Sequence, residues 1–71
     1  MDMNKIYKLD DLSNMGKEAH IILTDGREFD CKPDCIVCDD DTYEDMILVW
    51  SKPDGVGYEL RESEISEVIE I

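Results

Sequence analysis

Cys31-x-x-x-Cys35-x-x-Cys38 is a grouping whose residue types and spacing could hold a thiophilic metal. Three thiolates that close together can ligate an iron–sulfur cluster with one iron left open, but that chemistry needs a substrate- and cofactor-sized enclosure that 71 residues cannot build. A tetrahedral zinc site needs a fourth ligand, and His20 could supply it. In a regular strand, however, Cys31 and Cys35 point to one face and Cys38 to the other, so convergence would require a loop at Pro33. The sequence therefore reads more simply as three reduced thiols packed as small apolar groups, with His20 at a surface. An odd cysteine count without an export signal also argues against a disulfide framework.

Asp39-Asp40-Asp41-Thr42-Tyr43-Glu44-Asp45 holds five acidic residues, enough oxygen ligands for Ca²⁺ or Mg²⁺ in principle. The alternating spacing that wraps such ligands around one ion is missing, so the stretch reads as a solvated loop. A single histidine leaves no Ser/His/Asp or Cys/His arrangement for nucleophilic catalysis, and no enzyme is expected. Nothing calls for a cofactor. Among the aromatic residues, Trp50 ends the most apolar run and is assigned to the core or a subunit interface; Tyr43, beside the acidic loop, is the better recognition residue, with Tyr58 a further surface candidate.

Charge narrows the partners. Nineteen acidic against seven basic residues give a net charge of −12, a field that repels phosphate backbones and suits a basic protein partner. A core built by 71 residues supplies only ~3–5 kcal/mol, which makes homo-oligomerisation a plausible stabiliser. There is no apolar run long enough to cross a membrane and no leader at Met1-Asp2-Met3-Asn4-Lys5, so a cytoplasmic location is expected.

The elements that must position these residues follow from periodicity. Leu9, Leu12 and Met15 recur every three residues before Gly16 and predict a short helix over 9–15, with Asp10 and Asp11 in its first turn. Strands are expected over 18–24, 27–37, 45–51, 57–61 and 65–71. Asp25-Gly26 marks a positive-φ hairpin turn between the first two, and Pro33 implies an edge or a bulge in the second. The run Met46-Ile47-Leu48-Val49-Trp50 reads as a central strand buried on both faces, and Glu62-Ser63-Glu64 as a tight turn or single helical turn. One domain spans 1–71.

Leu9-x-x-Leu12, then Gly16-Lys17-Glu18, then Ile21-x-Leu23-x-Asp25-Gly26-Arg27-x-Phe29 resembles the first motif of the Sm-like (LSM) family, and Arg61-Glu62-Ser63-Glu64-Ile65 is similar to its Arg-Gly-x-x-Ile second motif. The resemblance implies an all-β fold, a strongly bent five-stranded antiparallel barrel behind a short amino-terminal helix. It also implies ring formation by pairing of the fourth strand with a neighbour's fifth, and an RNA site built from an Asp-x-aromatic-x-Asn segment and the Arg-Gly step. The matching positions here are Asp41, Tyr43 and Asp45, then Arg61 and Glu62, so an acid stands in place of Asn and Glu62 in place of Gly. Cys31 occupies the place of the glycine at the bend of the second strand.

These readings lead to a non-enzymatic, self-associating interaction module that presents an acidic face to a protein partner, with Tyr43, Asp45 and Arg61 as recognition residues. RNA binding is the alternative that the resemblance raises and the charge disfavours. A zinc- or redox-responsive protein using Cys31, Cys35, Cys38 and His20 is the other.

Overall fold

A computed structural model describes residues 4–71; Met1, Asp2 and Met3, part of the amino terminus read as lacking a leader, lie outside the described residues. Helix α1 spans Lys5–Asn14 and precedes β1 (Ala19–Leu23), β2 (Glu28–Cys38), β3 (Asp45–Ser51), β4 (Gly57–Arg61) and β5 (Ile65–Glu70), with a 3-10 turn at Glu62–Glu64. The fold is mostly β, one five-stranded antiparallel sheet ordered β4-β3-β2-β1-β5. No helix among the described residues is long and apolar enough to cross a membrane.

The helix begins four residues before its predicted start, and its buried stripe is Ile6, Leu9 and Leu12, whereas Met15 is 57% exposed. The cause lies at the C-terminus. Gly16, at φ 70°, donates to Ser13 O while Lys17 donates to Leu12 O, the paired bonds of a Schellman cap. That closure leaves Met15 as the cap residue, turned away from the sheet.

Ala19, Ile21 and Leu23 point inward from β1, where they meet the helix stripe and Cys31, Ile47, Val49, Leu60, Ile65 and Val68. The hairpin after β1 has a three-residue loop rather than the expected two-residue one. Gly26 N–H bonds Leu23 O, Leu23 N–H bonds Arg27 O, and Gly26 alone in the loop has positive φ. Asp25 retains an ordinary φ and turns its carboxylate onto the Arg27 N–H.

Pro33 sits within β2, the middle strand, so it marks a bulge and not an edge. The β2–β3 register steps by one between Pro33 and Ile36, which reverses the in–out alternation of the second half of the strand. Nor is β3 central: it lies between β4 and β2, and its outward residues Leu48 and Trp50 are half-buried and exposed. Trp50, at 44% exposure, is therefore not a core residue.

The expected closed barrel is replaced by an open, curled sheet. β4 and β5 are the two outer strands and make no ladder with each other, yet the three residues Glu62–Glu64 join them. A flat five-stranded sheet would hold its edges roughly 19 Å apart, farther than a single 3-10 turn can reach. The sheet must curl. Its bulge in β2 and the register shift between Ile22 and Leu23 on β1 supply the bend, and α1 covers the core that the curl leaves open.

Candidate functional site

The corner where α1 starts, β2 turns into β3 and β4 ends gathers the residues that sequence singled out for recognition. Asp39 organises it. Its carboxylate accepts the N–H groups of Asp41 at 2.7 Å and Thr42 at 3.2 Å, its carbonyl accepts Tyr43 N–H, and its own N–H bonds Glu44 O. These two side-chain-to-amide bonds, and then the Arg61 guanidinium, hold the Asp39 carboxyl below the usual carboxylate range.

Arg61 reaches across from the end of β4 and bridges Asp39 through Nη2 and Glu44 through Nε at 3.0 Å. Its main-chain N–H is in turn held by Glu64 at 2.9 Å. The guanidinium that resemblance assigned to ligand contact is thus spent on pinning the acidic loop to β4. Asp45 accepts the Tyr7 hydroxyl at 2.8 Å. Glu62 takes the Ile6 N–H at 3.1 Å and the Lys5 ammonium at 3.3 Å, supplying from outside the helix the N-terminal cap that Asn4 does not provide with its side chain.

Of the three residues that sequence singled out for recognition, Tyr43 alone has a side chain with no hydrogen-bond partner among the described residues. Its ring is 81% exposed and its backbone sits at φ 58°, a left-handed conformation uncommon for a bulky residue. The loop therefore projects one aromatic ring from an acidic run whose base is fastened by Arg61. Sequence reading counted Asp39 and Glu44 only as solvated acids and carried no sign of Tyr7 as the partner of Asp45 or of the Lys5–Glu62 pair at the start of α1; an Asp followed by small polar residues is a recognisable loop-capping pattern, but its remote arginine carries no local signal.

The structure does not bring the cysteines together. Cys31 is fully buried, whereas Cys35 and Cys38 are exposed, and no group of three or more His, Cys, Asp or Glu side chains among the described residues is arranged to hold a metal. The bulge explains why Cys31 and Cys35 do not share a face as a regular strand would require. Burial, with Asp30 and Glu18 nearby, pushes the Cys31 thiol up to about 12. A thiol-specific reagent at neutral pH should accordingly modify Cys35 and Cys38 promptly and Cys31 only after denaturant is added; three equivalent fast thiols would contradict this packing.

His20 is likewise committed. On the outer face of β1 its Nδ1 lies 2.7 Å from Asp30 and its Nε2 3.0 Å from Glu28, so both nitrogens face carboxylates and the ring is best matched as imidazolium. The hydrogen bonds it donates to Asp30 and then Glu28 raise its pKa. A raised pKa means that its stabilising contribution is complete below the ordinary histidine value and disappears as pH climbs through the higher folded one. NMR titration of the ring should give a folded pKa above 6.5, and His20→Gln should flatten the fall in melting temperature across that interval.

No family model, curated protein or solved structure matches this chain.

Proposed function

We propose that this chain is a non-enzymatic, Sm-like interaction module that self-associates through its sheet edges and offers the acidic loop to a basic protein partner. The observation that carries the reading is the pair of outer strands, β4 and β5, whose outward backbone groups have no partner in the sheet. Edges of this kind in one curled sheet suit head-to-tail pairing between copies, which closes into a ring when the rotation per subunit allows. Ile69, 42% exposed on β5, adds apolar surface beside one of them.

Salt separates the two halves of the proposal. Subunits carrying −12 each repel, so association should strengthen as salt screens that repulsion, whereas binding of a basic peptide to the loop should weaken. Light scattering should return a multiple of 8.2 kDa at moderate salt, and a monomer at every concentration and salt level would refute self-association. A lysine-rich peptide should be retained at low salt by the parent and lost on Tyr43→Ala combined with Asp40→Asn and Asp41→Asn.

RNA binding keeps one observation in its favour, the exposed Tyr43 ring as a stacking platform. Against it stand the engagement of Arg61 by two carboxylates and the overall charge. Uridine-rich and adenine-rich single strands should show no retention even at low salt, and retention abolished by Tyr43→Ala would reverse the order of the two readings.

A further inference from the structure

A pocket of about 260 Å³ opens between the end of α1 and the paired strands β2 and β3. It is lined by Ser13, Lys17, Lys32, Pro33, Asp34 and Trp50. Three constraints hold the indole in place. Its Nε1–H donates to Asp34 Oδ2 at 2.9 Å, its benzene ring lies against Gly57, where an added Cβ would stand 3.0 Å from it, and Trp50 is paired across the strands with Lys32 on one side and Gly57 on the other. The ring is nevertheless 44% exposed. A flat apolar surface fixed in orientation but left open is suited to stacking.

The charge beside it is as distinctive. Lys5, Lys8, Lys17, Arg27, Lys52 and Arg61 each have a carboxylate or a main-chain carbonyl as partner. Lys32 has none among the described residues, in a chain with nineteen acids to choose from. Asp34, two residues on, gives one oxygen to the indole and leaves the ammonium alone. Lys17, on the other rim, is shared with Glu70 at 2.7 Å.

We propose that this pocket binds a small planar anion, an aromatic ring bearing one carboxylate or phosphate, with the ring stacked on Trp50 and the acidic group on Lys32. The pocket's size admits a single ring and its substituent, and its lining includes no residue of β4, β5 or the acidic loop. The inference is independent of the interaction role proposed above.

Trp50 is the one tryptophan in the chain, so a single indole N–H resonance reports the site directly. The probes are phenylacetate and phenyl phosphate, which distinguish the two acidic groups on a common ring, with 2-phenylethanol as the uncharged control. One or both anions should shift the indole resonance saturably in roughly the millimolar range typical of fragments this small, and the alcohol should not. Lys32→Gln should weaken the binding roughly tenfold or more, and Lys32→Arg should restore it. Asp34→Asn, which keeps an acceptor for the indole while removing the nearby negative charge, should tighten it. Equal shifts with the alcohol, unchanged affinity in Lys32→Gln, or no saturable shift with either anion would overturn the proposal.

Discussion

Replacing Ile47 with alanine is expected to lower the unfolding free energy by about 2–5 kcal/mol, with Ile47→Val costing about 1 kcal/mol. Ile47 has no exposed surface and sits in β3 between Ile36 on β2 and Leu60 on β4, beneath the helix stripe. Removing three carbons there leaves a hole that sheet and helix cannot both close. A domain of 71 residues has a total stability of roughly 4–10 kcal/mol at the usual yield per residue, so the alanine variant should stand close to unfolding while the valine variant remains folded. Urea denaturation measures this: the midpoint should fall with the slope unchanged. A loss for Ile47→Ala no larger than for an exposed position such as Val56 would contradict the described core.

Much of the architecture was legible because local chemistry is short-ranged. The alternation of Ala19, Ile21 and Leu23, the glycine at 26 and the serial strand signals identify an antiparallel sheet behind one helix. What failed was phase and closure. A three-residue spacing fits Ile6-Leu9-Leu12 as well as Leu9-Leu12-Met15, and only the cap bonds at Gly16 and Lys17 decide between them. The Asp-Gly pair announces a turn but not its length, since Thr24 joins the loop without any compositional mark. Pro33 was readable as either edge or bulge, and the choice depends on which strands flank β2, a long-range fact. Whether β4 and β5 share a ladder is likewise set by the degree of curl, which no residue type states.

The candidate site was legible in location, whereas the contacts its residues make were not. Tyr43, Asp45 and Arg61 do meet at one corner, but the partners that define their chemistry lie on other elements: Asp39 and Glu44 for Arg61, and Tyr7 for Asp45. An acidic run invites the reading of a solvated surface because separation in sequence hides the arginine. Glu62, noted in sequence only as standing in place of the second motif's glycine, closes the start of α1. The same limit applied to the cysteines, whose strand parity was broken by a one-residue bulge between Pro33 and Ile36.

Replacing Arg61 with methionine should loosen the β2–β3 loop far more than its half-exposed position suggests, and it is the second large effect expected. The side chain is 35% exposed and the Asp39 carboxylate 17%, so the pair is partly shielded from the solvent that weakens most surface ion pairs. Methionine keeps the apolar stem over β4 while removing the fork that joins Asp39 to Glu44, leaving those acids in a field already strongly negative. Lysine in the same place restores the charge but not the two-pronged geometry and should recover only part of the loss. The melting temperature should fall by several degrees in Arg61→Met, with faster amide exchange concentrated at Asp41, Thr42 and Tyr43. The acid limb supplies the sign. Because the folded Asp39 carboxyl is depressed, its contribution is present above the ordinary carboxylate range and is lost as pH falls through the lower folded value. Arg61→Met raises that folded value without erasing the shift, since the Asp41 and Thr42 amides remain, so the stability difference between parent and variant should shrink as pH drops toward the folded value. A constant difference down to full protonation of Asp39 would mean that Arg61 acts through packing alone and that the loop is held by its own amides.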